Sequence, residues 1–196
     1  MLKKIVGTLG QVAEAGGSIV GVRNGTEEPP FTVESTVGGV EIRRYEPRIA
    51  AETTIDADEE KARNEGFRRL AGYIFGGNTT KTKIAMTAPV AAQRGESGEW
   101  VIRFFMPSEH SMDALPTPKD DRVRLVKVPA ERVAVLKFSG TASLDAIASR
   151  TAELLNTLRD NNIKTKGTPF TWFYDPPWTL PFRRRNEVVV SLGAAR

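Results

Sequence analysis

The residues best suited to binding chemistry lie in one stretch near the carboxyl end, between Tyr174 and Val190. It places two large aromatic side chains, Trp178 and Phe182, and three consecutive arginines at positions 183–185 in a connection that also holds three prolines. Proline fixes φ and restricts the residue before it, so we expect a stiff loop. Rings beside cations suit an amphipathic ligand with anionic groups. From the composition of the loop alone, however, we favour the interpretation that the rings close the end of the core while the arginines form a solvated edge.

The rest of the chain offers few groups for catalysis. It has no cysteine, which excludes disulfides and thiolate metal sites, and its one histidine is His110. No glycine-rich phosphate loop and no carboxylate cluster with metal-ligand spacing is visible. The formal net charge is only +4, and the basic residues are spread along the chain apart from 183–185. We therefore predict a binding protein that is not an enzyme and that does not take nucleic acid as a partner.

Hydrophobic periodicity indicates the elements that position the loop. A helix is predicted after Asp56 or Asp58, because an acidic cap is followed by apolar residues at i, i+3, i+4 and i+7, and Gly76-Gly77 ends it. Around it we expect strands over 40–45, 48–55, 83–90 and 100–106. The same order then returns as strands over 123–128 and 133–138, a helix over 143–159, and strands over 170–174 and 187–192.

This recurrence predicts an internal repeat, with one ββαββ unit at about 37–106 and a second at about 123–193. Each unit alone would expose one apolar sheet face, so we expect the two to pack about a pseudo-twofold axis into one α+β domain. A ligand site is then expected in the concavity where the halves meet.

The amino-terminal residues 1–30 are interpreted as a peripheral arm and a Gly/Pro linker that lead into a domain over 31–196. The arm has no apolar run of the roughly 20 residues that a spanning helix needs, so we expect no integral membrane segment and leave a peripheral contact open. This interpretation places the protein in the cytoplasm. The alternative is that residues 1–15 act as a secretory signal and the protein is exported.

Three stretches together resemble the SOUL haem-binding protein family. They are Tyr-Glu-Pro at 45–47 with the strand that follows, Lys-Ile-Ala-Met-Thr-Ala-Pro-Val at 83–90, and Tyr-Asp-Pro-Pro at 174–177 with Pro181 and Arg-Arg-Asn-Glu at 184–187. With the spacing between them they cover roughly residues 31–193. The resemblance implies a distorted β-barrel of two ββαββ halves with two flanking helices, related to the effector-binding domains of some bacterial transcription regulators.

The resemblance also implies a ligand, which is haem or another tetrapyrrole, held in a hydrophobic groove between the first helix and the proline-rich loop 175–183. Carried over to this chain, the groove is lined by apolar residues of the helix and of the loop, and arginines beside it pair with the propionates. The apolar set is Phe67, Leu70, Ala71, Ile74, Trp178, Leu180, Pro181 and Phe182, and the arginines are Arg63, Arg68 and Arg183. Animal members have basic side chains where this chain has Asn64 and Gly72.

The axial iron ligand is the second point at which this chain departs from the family pattern. Some members use an axial histidine, whereas His110 here lies in the loop 107–121 between the two units. Tyr45, Tyr73, Met86 and Met106 could also ligate iron. Core packing is the better interpretation for Tyr73 and for Met86, which has alternating apolar neighbours in a predicted strand. We expect weak or no axial ligation and about micromolar affinity for haem or metal-free porphyrin. A module for other small planar amphipathic ligands, or for a partner protein, stays an alternative.

Glu187, which follows the arginines, has two interpretations. It can be a buried partner of Arg184 or Arg185, which we favour. It can instead face a cationic ligand, as an acidic residue does in the related effector-binding domains.

Overall fold

Nine β-strands and two α-helices make up the part of the chain that the computed structural model describes, residues 26–176 and 178–193. The fold class is α+β, as the sequence predicts. The elements in chain order are β1 (Phe31–Val37), β2 (Val40–Tyr45), β3 (Arg48–Ile55), α1 (Glu59–Ile74), β4 (Val90–Arg94), β5 (Trp100–Phe105), β6 (Arg124–Val128), β7 (Glu131–Phe138), α2 (Leu144–Asp160), β8 (Thr165–Phe173), a 3-10 turn (Pro181–Arg183) and β9 (Asn186–Leu192).

All nine strands form one antiparallel sheet in the order β1-β2-β7-β9-β8-β4-β5-β3-β6. In the first half β5 pairs with β3 and β4, and in the second half β9 pairs with β7 and β8. The halves join where β4 meets β8, β2 meets β7 and β3 meets β6. These pairings are compatible with two like units, although the repeat itself stays a prediction.

The predicted distorted barrel is corrected to an open sheet. Among the described strands, β1 and β6 are the two ends of the order and do not pair with each other. β1, a strand that the sequence analysis did not predict, pairs with the outer edge of β2. Most of β1 is exposed, although Phe31, Val33 and Val37 stand at alternate positions as in a half-buried strand.

Helix α1 begins where predicted because Asp58 caps it, accepting a hydrogen bond from the Lys61 backbone N–H at 2.9 Å. It packs on β3 and β5, and its buried face includes Leu70 and Ile74. Helix α2 is capped by Ser143 and packs mainly on β7 and β9. The remaining sheet face carries a third apolar cluster, centred on aromatic side chains, that neither helix covers.

The predicted strand over 83–90 is wrong for most of its length, because β4 begins only at Val90. Two backbone donors of this segment bond outside the sheet ladders. Ile84 N–H donates to Ile74 O at 2.8 Å, and Ala88 N–H donates to Glu27 O at 2.9 Å. Ile84 and Ala88 are buried, but Met86 is 38% exposed, so the core packing expected for Met86 is wrong.

Most of the expected arm, residues 1–25, lies outside the described residues. The end of the expected linker is described, and it is attached to the domain. The Glu27 carboxylate accepts a hydrogen bond from Ser108 N–H at 2.8 Å, and Glu28 pairs with Arg185 at 3.0 Å. Across 26–176 and 178–193, no helix has the length and apolar character that crossing a membrane requires.

Candidate functional site

A row of apolar side chains runs under α1 toward the proline-rich loop. Val90 on β4 is paired with Phe104 on β5 and with Phe173 on β8, so the three residues lie side by side across adjacent strands. The Phe67 ring packs on Phe104 with centroids 5.3 Å apart, and the Arg63 guanidinium lies 4.7 Å from the centre of the Phe173 ring. Phe173 is the last residue of β8, so this row leads from the exposed side of α1 to the start of the loop.

Backbone hydrogen bonds within the loop and from Gly140 hold the loop in place, and the loop presents its rings to solvent. Thr179 is buried and its N–H donates to Pro176 O at 3.0 Å, while Gly140 N–H donates to Pro181 O at 2.8 Å. Trp178 is 62% exposed and Phe182 is 70% exposed. The rings therefore do not close the end of the core, so the interpretation favoured from the composition of the loop alone is wrong.

A buried charge cluster anchors the base of the loop. The Glu187 carboxylate, fully buried, accepts two hydrogen bonds from Arg43 at 3.0 Å each, and others from Arg185 at 2.7 Å and from the Tyr174 hydroxyl at 2.8 Å. Glu187 is thus the buried partner of Arg185, as favoured from the sequence. Because Tyr174 precedes the loop and Arg185 follows it, the cluster joins the two ends of the loop.

The charges within this cluster stabilise one another. Burial alone would lower the pKa of the Arg43 guanidinium, but its hydrogen bonds to Glu187 and the charge of that carboxylate raise the pKa above the usual value. Burial raises the pKa of the Tyr174 hydroxyl, and the adjacent negative charge of Glu187 raises it further. The cluster therefore keeps Arg43 charged and Tyr174 protonated.

The arginines of the loop divide into two groups. Arg184 donates from Nε to Thr179 O at 2.7 Å, and Arg185 is bound to Glu28 and Glu187, so both hold the loop in place. Arg183 is exposed, with its guanidinium 5.9 Å from the centre of the Phe182 ring. Among the described residues Arg183 forms no ion pair, and the same is true of Arg63 and Arg68 on α1.

The predicted groove residues on α1 differ in their exposure. Phe67 is 39% exposed, Arg68 is exposed, and Ala71 and Arg63 are half-buried. Leu70 and Ile74 are fully buried in the core beneath α1, so they support the helix from below and do not face solvent. On the loop, Leu180 and Pro181 are exposed, and Pro177 lies outside the described residues. Periodicity finds the apolar face of a helix but does not separate its core positions from its rim.

His110 and Met106 lie together in a different place. Both line a cavity of about 180 Å³ beside Pro47 and Arg48, and none of the predicted groove residues lines that cavity. The Tyr73 hydroxyl donates to Pro116 O at 2.9 Å, and burial raises its pKa to about 12. The residues predicted to line the groove therefore include no histidine, methionine or tyrosine that could ligate iron.

The open antiparallel sheet with two helices on one side is an α+β fold that distant proteins share. The C-terminal domain of EcmrR matches it with a TM-score of 0.59 at 9% identity, over 80% of this chain and 98% of that one. A protein of Listeria innocua described as a hydrolase matches with a TM-score of 0.55, also at 9% identity, over 82% and 94% of the two chains. At this identity the likeness shows the fold alone.

Sequence comparison then defines the family within that fold. The model of the SOUL heme-binding protein family matches residues 26–191, so the chain belongs to the SOUL haem-binding protein family. Heme-binding protein 2 of Mus musculus is 30% identical over 190 residues, which is 86% of this chain and 90% of the relative. Heme-binding protein 2 of Homo sapiens is 31% identical over 159 residues, which is 77% of each chain. The resemblance that the sequence motifs suggested is confirmed.

Proposed function

We propose that this protein binds haem or a related tetrapyrrole, as a carrier or buffer and not as an enzyme, in a groove between α1 and the loop 175–183. The observation that carries the proposal is the exposure of large apolar side chains. Eight such side chains are exposed among the described residues, and four of them belong to the predicted groove: Phe67, Trp178, Leu180 and Phe182. Contiguous exposed apolar groups are typical of binding sites, and the proposal is that these four side chains form one such surface. Membership of a haem-binding family supports this choice of ligand.

The charges near this surface suit a ligand with carboxylates. Arg63, Arg68 and Arg183 are the cations of the predicted groove, and none is committed to an ion pair within the described part of the chain. Arginine presents donors in a planar fork that matches a carboxylate. These residues are therefore available to the propionates, whereas Arg184 and Arg185 are occupied in holding the loop.

The same residues supply no axial ligand, so binding in the groove depends on ring burial and on the arginines. Burial of several hundred Å² of apolar ring at about 25 cal/mol per Å², reduced by the costs of association and ordering, leaves about micromolar affinity. The iron of a bound haem would supply redox chemistry. The residues of this chain would cover the ring and form ion pairs with its carboxylates. Metal-free protoporphyrin is then expected to bind about as tightly as haem.

The first test replaces Phe182 with aspartate. Burial of a phenylalanine side chain contributes roughly 1.5–3 kcal/mol, so Phe182→Asp should weaken the affinity for protoporphyrin and for haem at least about tenfold. The affinity is measured by the Soret band and by quenching of tryptophan fluorescence. Val33→Asp is the matched control, since Val33 is an exposed apolar residue on the edge strand β1. Equal affinities of the two variants for these ligands, or no binding of either ligand to the unsubstituted protein, would contradict the proposal. Binding of haem without binding of protoporphyrin would show that an iron ligand has been missed.

A second test addresses Arg183, the loop arginine without an ion pair among residues 26–176 and 178–193. Arg183→Gln should weaken protoporphyrin binding by about threefold at low salt, and should flatten the dependence of affinity on NaCl concentration, because a partly exposed ion pair is screened. Arg150→Gln on α2 is the control, as Arg150 is an exposed arginine outside the groove. Affinity is measured by Soret titration at NaCl concentrations from 20 mM to 500 mM. Over this range the Debye length falls from about 20 Å to about 4 Å. An unchanged salt dependence in Arg183→Gln would contradict the assigned role.

A further inference from the structure

The sheet face that neither helix covers contains a cavity that the groove does not use. Its volume is about 320 Å³, and its apolar wall includes Phe105, Phe170 and Trp172 from β5 and β8. Strands on both sides of the β4–β8 junction contribute to the lining. Ligand pockets span about 300–1,000 Å³, so a cavity of this size fits a ligand of one or two rings.

This cavity and the predicted groove lie on opposite faces of the sheet. Successive side chains of a strand point to opposite faces. Phe104 and Phe173 belong to the apolar cluster under α1, whereas their neighbours Phe105 and Trp172 belong to the aromatic cluster on the other face. A molecule in the cavity would therefore not touch the rings and arginines proposed to hold a tetrapyrrole.

The acceptors around the cavity are occupied. The Glu52 carboxylate accepts hydrogen bonds from Arg103 at 2.7 Å and from Arg124 at 3.1 Å. The Glu131 carboxylate is paired with Arg48, and Gln93 Oε1 accepts from Arg103 at 3.1 Å. No lining carboxylate is thus left without a cationic partner to attract a cationic ligand.

Around the cavity, donors on Trp172, Arg103 and the exposed Lys127 have no protein acceptor within the described residues. Trp172 is 1% exposed, and its indole N–H has no hydrogen-bond partner. Arg103 donates from Nε and Nη1, and its Nη2 makes no hydrogen bond. A buried donor without a partner costs roughly 1–3 kcal/mol, and this cost applies to the Trp172 indole N–H, so a ligand that brings it an acceptor gains by entering. The Arg103 side chain is 28% exposed, so its remaining donor is solvated and free to turn to a ligand. Glu52 is bound by two arginines, so that cluster also carries a net positive charge.

From the aromatic wall and the unused donors we propose that the cavity is a second binding site, for small aromatic carboxylates of one or two rings. The ring packs against Phe105, Phe170 and Trp172, and the carboxylate is held by Arg103, with the indole N–H of Trp172 as a further donor. This site is independent of the tetrapyrrole proposal, because the two share no residue.

The test uses 2-naphthoate as the probe and Trp172 as the reporter. In a Trp100→Phe, Trp178→Phe double variant, Trp172 is the only tryptophan, so saturable quenching by 2-naphthoate reports the cavity directly. Quenching should be much weaker with 2-naphthylmethylammonium and with 2-naphthalenemethanol, which have the same rings without the carboxylate. Calorimetry on the unsubstituted chain makes the same three-way comparison without any substitution. Absence of saturable binding of 2-naphthoate, or equal binding of the three probes, would overturn the proposal.

Two further measurements assign the residues and the location. Arg103→Met should weaken 2-naphthoate binding at least tenfold, while Arg150→Met on α2 should leave it unchanged. Arg124 still pairs with Glu52 when Arg103 is replaced, so the buried carboxylate keeps a cation. Saturating protoporphyrin should not displace 2-naphthoate. Unchanged affinity in Arg103→Met, or competition between the two ligands, would contradict a separate carboxylate site.

Discussion

Glu187→Gln is expected to lower the free energy of unfolding by about 3 kcal/mol, a large part of the roughly 5–15 kcal/mol that stabilises a typical domain. The substitution keeps the shape of the side chain but removes the charge that compensates Arg43. Arg43 is fully buried and donates from both Nη atoms to Glu187, so glutamine leaves a buried cation without its main counter-charge. Urea unfolding followed by circular dichroism measures the change.

Glu41→Gln is the matched control for this prediction. Glu41 also pairs with Arg43, at 2.8 Å, but its side chain is partly exposed and it pairs with Lys137 as well. Its replacement should cost less than about 1 kcal/mol. The double replacement of Arg43 by methionine and Glu187 by leucine should recover stability relative to Glu187→Gln, because both buried charges are then absent. If Glu187→Gln and Glu41→Gln were equally stable, the cluster would not be the anchor described above.

The second large effect is expected at Gly66 on α1. A Cβ at this position would lie 2.5 Å from Ile102 Cγ1 and 2.7 Å from Ile102 Cβ, so α1 must move away from β5 to accommodate alanine. Overpacking of this kind costs roughly 1–3 kcal/mol and exceeds the gain of up to about 1 kcal/mol in helix propensity. Gly66→Ala should therefore destabilise the protein. It should also weaken porphyrin binding, since Phe67 moves with the helix.

Gly72→Ala provides a control of opposite sign on the same helix. No atom lies within 4 Å of a Cβ built at Gly72, so alanine gains helix propensity without a clash. The free energy of unfolding should rise by about 0.5–1 kcal/mol. Both variants are compared by urea unfolding and by Soret titration. Stabilisation by both substitutions would mean that α1 does not lie against β5 as closely as described.

Elements defined by nearby residues were predicted well. Asp58, the glutamates after it and the spacing of Leu70 and Ile74 set α1, and the Glu-Pro turn at 46–47 separates β2 from β3. Elements whose structure depends on residues distant in the sequence were not predicted well. The segment 83–90 has the alternation of a strand, but its backbone bonds to Ile74 and Glu27, which no local pattern reveals.

The same contrast between features set by nearby residues and features set by distant residues applies to the candidate site. The exposed rings and arginines of the loop could be selected by residue type alone. The row of Val90, Phe104 and Phe173 could not, because it depends on the register of three strands. Arg43 is separated from Glu187 by 144 positions, so the sequence suggested Arg185 as the partner of that carboxylate but not Arg43. The cavity around Trp172 could not be predicted either, because its unused donors appear only with the three-dimensional contacts.

The ion pair between Glu28 and Arg185 has a practical consequence for work on shortened chains. The sequence analysis places the start of the domain at residue 31, which is also the first residue of β1. A truncation at that residue would therefore leave every strand complete. It would, however, remove the Glu28 carboxylate, which forms an ion pair with Arg185 where the loop 175–183 ends. A truncated protein that begins at Phe31 would lack this ion pair, so expression boundaries should keep residues 26–30.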